Sequence, residues 1–140
     1  GKDVFIADFS YKREILLKMN DQAKTLALID HHVSAEKDIG DLDFCNFDMN
    51  HSGAYLSWSY LFGDKNIPPL ILYIEDRDLW KWELPHTEEI LSAVDSFDRT
   101  FENWTVSIIN DSEFSARTAL EAWQTQTRIT PSKVDWQEDH

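Results

Sequence analysis

The sequence predicts an α/β fold in which helices flank a parallel β-sheet. Two short apolar runs, 3–8 closed by Asp8 and 25–29 followed by Asp30, lack the polar alternation of a half-exposed strand, which is typical of strands buried on both faces. A helical pattern with apolar residues between positions 15 and 19 separates them, so the three elements form a βαβ unit. We expect both strands to end at one edge of the sheet, where open α/β sheets bind their ligands.

Capping and turn residues delimit the other elements. Ser10 and Asn20-Asp21 bound the first helix, and Gly63 ends an aromatic helix that opens after Asn50-His51-Ser52-Gly53. Pro68-Pro69 starts the helix that carries an acidic cluster. The predicted elements are strands 3–8, 25–29 and 44–49 and helices after Ser10, 54–62, 68–80, 87–97 and 113–127, with 101–109 unassigned and 130–140 frayed.

The composition argues against several classes of protein. A net charge of −13, from 26 acidic and 13 basic residues, argues against a duplex DNA-binding surface, because such surfaces neutralise phosphates with Lys and Arg. No apolar run reaches the roughly 18 residues that a membrane span needs, so we expect no membrane partner. The single cysteine, Cys45, forbids an intramolecular disulfide and, with no secretory signal at the start, predicts a cytoplasmic protein.

Residues that can bind a metal follow both predicted strands. Asp8 ends the first strand, and Asp30-His31-His32 follows the second. If the strands are adjacent, these groups lie about 5 Å apart, and imidazole with carboxylate suits manganese, iron and zinc. The triplet alone would fit a surface loop equally well, but its position after a buried strand and beside Asp8 favours a metal site.

Four segments, taken in order, resemble the DHH phosphoesterases. They are Ile6-Ala7-Asp8-Phe9-Ser10, Leu28-Ile29-Asp30-His31-His32, Ser52-Gly53-Ala54 before the aromatic helix, and Glu75-Asp76-Arg77-Asp78-Leu79-Trp80. That superfamily includes RecJ-type exonucleases, family II inorganic pyrophosphatases and oligoribonucleases that also cleave small nucleotides. The last two segments look closest to the oligoribonuclease or cyclic-nucleotide phosphodiesterase-like branch. The resemblance covers residues 3–97 and implies a metal-dependent phosphodiesterase, a nuclease-like hydrolase of short oligonucleotides or small nucleotides.

The resemblance assigns metal ligands residue by residue. It implies that Asp8 bridges two divalent ions and that His31 binds one of them. Asp76 best matches the acid of the family's fourth motif, with Asp78 as the alternate because the local alignment slides by two residues. The implied cofactor is a divalent metal, with Mn²⁺ as the first choice and Mg²⁺ or another divalent ion as alternatives.

The resemblance also suggests catalytic and substrate-binding residues. His32 matches the histidine that faces the substrate phosphate, and Asp30 looks like a supporting residue that orients the loop. Ser52 could lend its hydroxyl and the helix N-terminus to a phosphate. Arg77 either pairs with its acidic neighbours, which we favour, or contacts a phosphate.

The other histidines and the tryptophans have structural interpretations. His51 fits a capping or loop role at the start of the aromatic helix, and His86 fits a loop. Trp58, Trp80 and Trp82 are interpreted as packing residues. Because Trp80 and Trp82 flank the acidic cluster, stacking on a nucleobase stays open as a second interpretation.

The family's first motif has no counterpart in this sequence. It is an aspartate-rich loop that lies upstream of the second motif, whereas this chain begins almost on the second motif. We therefore expect a DHH-phosphoesterase-like domain truncated at the N-terminus, partial over 1–110 and followed by a helical extension over 111–140. Whether the chain itself is an active enzyme stays open. The alternative is a non-catalytic domain that keeps the fold and binds a metal, a nucleotide or a partner chain.

A missing first strand has a consequence for packing. The edge of the strand at 4–8 would lie unpaired, and exposed strand edges invite aggregation unless something covers them. We expect a second copy of the chain to cover this edge, which would give a homodimer.

Overall fold

The computed structural model describes residues 1–96 and 98–102. Within this range the chain forms three strands and five helices: β1 (Asp3–Ala7), α1 (Arg13–Gln22), β2 (Thr25–Asp30), α2 (Val33–Ile39), β3 (Cys45–Phe47), α3 (Gly53–Phe62), α4 (Pro69–Asp78) and α5 (Thr87–Asp95). The predicted helix over 113–127, the extension over 111–140 and most of segment 101–109 lie outside the described residues. None of the described helices has the length and apolar character to cross a membrane.

The three strands form one parallel sheet in the order β1-β2-β3. The register pairs Ala7 with Ile29 across β1 and β2, and Asp30 with Phe47 across β2 and β3. The predicted α/β class, with a parallel sheet and flanking helices, is confirmed. The finer assignment to a truncated DHH-like domain stays a prediction.

One face of the sheet carries the main core. Leu28 of β2, Leu16 of α1 and Ile39 of α2 are fully buried against one another. Ile6 of β1 and Phe47 of β3 pack around this cluster. Since side chains two residues apart share a face of a strand, the alternate residues of β1 and β2 line this core and α1 and α2 cover it.

Helix α3 covers the opposite face. It contacts β1 and β2, and the ring of Tyr60 stacks on Phe5 with centroids 5.4 Å apart. Helix α4 packs on α3, and α5 packs on α4 through Tyr73, Ile90 and Ala93. Coverage of both faces is the usual arrangement for a parallel sheet.

The outer edge of β1 has no partner strand among the described residues. The strand order places β1 at the rim of the sheet, and its residues alternate between exposed and half-buried. This is the edge for which the homodimer is predicted, and the homodimer itself stays a prediction.

Helix boundaries follow the local signals closely at α3 and less closely elsewhere. Ser52 caps α3 by accepting a hydrogen bond from the Tyr55 N–H at 3.1 Å, and Gly63 ends the helix with φ at 81°, in the region that glycine adopts at low cost. Helix α1 starts at Arg13 after Lys12 and has no side-chain cap, so the prediction of a start near Ser10 is early by a few residues. Helix α2 was not predicted.

Candidate metal centre

Asp8 leaves β1 in an unusual backbone conformation. Its φ is 57°, in the left-handed region that few residues other than glycine enter, although Asp and Asn tolerate it better than most. Its N–H donates to the Ile29 carbonyl at 2.9 Å, so the ladder with β2 continues one residue past the strand. The Asp8 side chain is thereby set at the carboxyl edge of the sheet.

His31 brings three elements together at this edge. It follows β2, and its Nε2 lies 3.2 Å from Oδ1 of Asp8 and 3.4 Å from Oδ2 of Asp78, the last residue of α4. The His31 side chain is only 11% exposed, whereas both carboxylates reach solvent. Two carboxylates therefore converge on one imidazole nitrogen at an accessible position.

Asp30 organises the loop that carries both histidines. It ends β2 and is 1% exposed. Its Oδ1 accepts the His31 N–H at 2.8 Å and lies 2.5 Å from Nδ1 of His32. The hydrogen bond to Asp30 raises the pKa of His32, and the nearby charges of Asp8 and Asp78 raise it further. Asp30 thus contacts both histidines of the loop, and the His32 side chain is 56% exposed; the supporting role of Asp30 and the substrate-facing role of His32 stay predictions.

The N-terminus of α3 packs directly on Asp8. A Cβ built on Gly53 would overlap the carboxyl group and the Cβ of Asp8, so no larger residue fits at this position without a shift. Burial raises the pKa of Asp8, the charge of Asp78 adds to that rise, and the neighbouring His31 opposes it. The carboxylate thus lacks full compensation from the protein, although it lies at the positive end of a helix.

Asp76, the preferred fourth-motif ligand in the sequence interpretation, faces away from this cluster. Its Oδ1 accepts the Glu83 N–H at 2.8 Å, and its Oδ2 accepts the Leu84 N–H at 3.2 Å and the Thr87 hydroxyl at 2.5 Å. Although burial opposes it, these three hydrogen bonds lower the pKa of Asp76. Asp76 therefore organises the loop between α4 and α5, and the alternate, Asp78, takes the place beside His31.

The two predicted substrate-binding residues are engaged within the fold. Ser52 is buried and uses its hydroxyl as the cap of α3. Arg77 pairs with Asp95 of α5 at 3.0 Å, an acidic partner on another helix, whereas the favoured interpretation named its acidic neighbours along the chain.

Glu75 and His51 form a pair that sequence reasoning missed. Glu75 is buried; its Oε2 accepts the Ser52 N–H at 2.9 Å and lies 3.1 Å from Nδ1 of His51. One sequence signal could have pointed to Glu75. It lies three residues before Asp78, and residues three apart share one face of a helix. His86 interacts with Glu89, 3.8 Å away, at the start of α5, in keeping with its structural interpretation.

The cluster has the donor chemistry of a metal site. Ligand atoms of Asp8, Asp30, His31 and His32 all lie within 4.8 Å of one another, and an oxygen of Asp78 lies 3.4 Å from Nε2 of His31. Because Asp30 is buried and already accepts hydrogen bonds, the donor set that meets at one atom is His31 with Asp8 and Asp78. Mixed carboxylate and imidazole donors suit divalent transition metals.

The fold and this cluster together define a small α/β domain with a candidate metal centre at the carboxyl edge of a parallel sheet. The chain is 29% identical over 136 residues to a protein of Acanthamoeba polyphaga mimivirus named "Uncharacterized protein R106". The match takes in 96% of this chain but 32% of that protein, so the chain spans about a third of its relative's length. No family model matches the chain, and no solved structure matches it significantly.

Proposed function

We propose that this chain is part of a metal-dependent phosphoesterase of the DHH type, acting on short oligonucleotides or small nucleotides. The observation that carries the proposal is the convergence of Asp8 and Asp78 on Nε2 of His31, at 3.2 and 3.4 Å. These groups come from the ends of two adjacent strands and one helix, at the edge where α/β sheets bind ligands. The order of the motifs along the chain supports the same assignment.

His31, Asp8 and Asp78 would hold the divalent ion, with Mn²⁺ as the preferred metal. The set fits because it combines one imidazole with two carboxylates that lie within 3.4 Å of its Nε2. Asp30 supports the site by binding the His31 N–H. A bound divalent ion supplies activation of water and stabilisation of the charge that develops on phosphate oxygens.

His32 has the properties of a proton donor to the substrate. It is exposed, lies beside His31 in the chain, and is held through Nδ1 by Asp30. The hydrogen bond to Asp30 raises the pKa of His32. From this position Nε2 can donate a proton or hydrogen bond to a phosphate or a leaving oxygen.

The described residues account for one ion, whereas two-metal phosphoesterases place two ions about 3.5–4 Å apart. A second ion would need ligands beyond those that the described part of the chain supplies, such as the aspartate-rich loop expected from the resemblance. The longer relative leaves room for such a segment. If no such segment exists, the non-catalytic alternative becomes the better description of this domain.

Two measurements on the 140-residue chain test the proposal. Calorimetric titration with Mn²⁺ should detect binding that is lost in His31→Ala and retained in His86→Asn, a control that removes a histidine outside the cluster. Asn is chosen at 86 because it tolerates the positive φ there. Hydrolysis of bis-p-nitrophenyl phosphate with Mn²⁺ then separates the two candidates.

The outcomes are distinct. Metal binding with turnover supports the phosphoesterase. Metal binding without turnover supports a domain that is non-catalytic unless a further segment supplies the ligands of a second ion. No binding and no change in melting temperature on adding Mn²⁺, Mg²⁺ or Zn²⁺ would defeat the metal-dependent phosphoesterase and leave only a non-catalytic domain that binds a nucleotide or a partner chain.

A further inference from the structure

Next to the candidate metal centre lies a histidine whose orientation is fixed on two sides. The Nδ1 of His51 lies 3.1 and 3.2 Å from the two carboxylate oxygens of Glu75, and its ring stacks flat on Tyr55, with centroids 3.9 Å apart and planes inclined by 8°. Rigid placement of an imidazole by a carboxylate and an aromatic ring exceeds what a loop or a helix cap requires. Ser52 already caps α3 without help from His51.

Glu75 determines which nitrogen of His51 is available. Because the Glu75 carboxylate is buried and accepts hydrogen bonds, it holds a proton of His51 on Nδ1, where the two groups meet. Nε2 then has no hydrogen-bond partner among the described residues, and the side chain is about one-third exposed. An imidazole held in this way through one nitrogen can present the other to a ligand.

Two independent features place this pair beside the metal centre. Glu75 and Asp78 lie three residues apart on one face of α4, so the carboxylate that holds His51 is one turn from the carboxylate that contacts His31. On the other side, Gly53 packs against Asp8 and is two residues from His51. Two residues of chain span at most about 7 Å. A phosphate bound to a metal at Asp8 could therefore reach the His51 side chain.

We propose that His51, positioned by Glu75, binds an oxygen of the substrate's phosphate group at the metal centre. This inference rests on the proposed function and adds a phosphate-binding residue to it. The ligand chemistry is that of a phosphate ester or inorganic phosphate, because an imidazole held through Nδ1 that binds a phosphate oxygen through Nε2–H makes a hydrogen bond to a charged acceptor. Because the chain carries a net charge of −13, a hydrogen-bond donor at the site helps to offset the repulsion between the protein and a phosphate anion.

A pair of substitutions isolates the exposed nitrogen. The Asn amide nitrogen overlies Nδ1 of a histidine, so His51→Asn keeps the contact with Glu75 and removes the outer donor. The Gln amide nitrogen overlies Nε2, so His51→Gln restores the outer donor. Binding of inorganic phosphate to the Mg²⁺-loaded chain should weaken about tenfold to a hundredfold in His51→Asn, the loss of one charged hydrogen bond, and recover in part in His51→Gln.

The wild-type chain gives a second readout that does not depend on the folding of a variant. In a ¹⁵N-labelled sample, the Nε2 signal of His51 should shift on adding phosphate in the presence of Mg²⁺ and should not shift with chloride. An unchanged Nε2 signal, or equal phosphate affinity in His51→Asn and wild type, overturns the proposal. Metal affinity distinguishes this failure from failure of the metal centre, because His51→Asn should bind Mn²⁺ normally whereas His31→Ala should not.

Discussion

Gly53→Ala is a small substitution that should disturb the metal centre without touching a ligand. The added methyl group would overlap the Cγ, Oδ1 and Cβ of Asp8, where ordinary van der Waals contact requires 3.4–4 Å. The overlap includes the Cβ, which is fixed by the backbone, so rotation of the carboxylate alone cannot relieve it. Asp8 must therefore move by an amount on the order of 1 Å, whereas metal–ligand distances tolerate about 0.2 Å.

Two opposing terms determine the stability of Gly53→Ala. Overpacking costs about 1–3 kcal/mol, and replacing glycine by alanine at the start of a helix recovers up to about 1 kcal/mol. The free energy of unfolding should fall by about 0–3 kcal/mol, which is less than the about 5–15 kcal/mol of a typical domain. The affinity for Mn²⁺ should fall further, by about 10- to 100-fold, as for other changes that displace a ligand.

Calorimetric titration with Mn²⁺ and urea unfolding measure the two effects separately. The matched control is Gly63→Ala at the other end of α3, where a positive φ makes alanine strained but no atom lies within 4 Å of the added group. That variant should lose stability and keep its metal affinity. If Gly53→Ala binds Mn²⁺ as tightly as wild type, Asp8 is not a ligand and the reasoning fails.

Three further predictions concern the rest of the described structure. Asp76→Asn should unfold at lower urea concentration than wild type, because the Asp76 carboxylate accepts three hydrogen bonds. Since the pKa of Asp76 is lowered in the folded state, the loss of stability should be full above about pH 4 and should vanish as the pH falls through that folded pKa. A loss of stability that does not depend on pH would contradict this. Burial raises the pKa of Cys45 to about 11, so Ellman's reagent at pH 8 should label this thiol about 100-fold more slowly than a free thiol. Labelling at the rate of a free thiol would show that Cys45 is not shielded from solvent. The edge of β1, which lacks a partner strand within residues 1–96 and 98–102, predicts a homodimer in light scattering after size exclusion, and a monomer at high protein concentration would rule the homodimer out.

The strands that build the site could be predicted because their signal is local. β1 and β2 are short apolar runs followed by an acid, and the parallel pairing then brings Asp8 and His31 together. Helix α3 was equally accessible, since a serine cap and a closing glycine mark its ends. Each of these signals acts within a few residues and does not depend on the rest of the fold.

Helix α2 escaped prediction because its sequence carries little pattern. It has seven residues, begins after His32 without a side-chain cap, and buries Ile39 alone. Seven residues are shorter than the roughly 11–18-residue window over which a helical period can be recognised. The helix exists because the connection from β2 to β3 must cross the sheet face and deliver Ile39 to the core.

The choice between Asp76 and Asp78 depended on the rotation of α4, which sequence alone does not fix. Two residues along a helix correspond to about 200° of rotation, so a shift of two positions exchanges one face for the other. The packing of α4 between α3 and α5 sets that rotation. It directs Asp78 to His31 and Asp76 to Thr87.

The central claim is that Asp8, His31 and Asp78 share one divalent cation. Anomalous diffraction from crystals soaked in Mn²⁺ measures this directly. We expect a peak about 2 Å from Nε2 of His31 and from one oxygen of each carboxylate, the usual length of a metal–ligand bond. A peak elsewhere, or no peak with Nε2 of His31 still in contact with Asp8, would contradict the account.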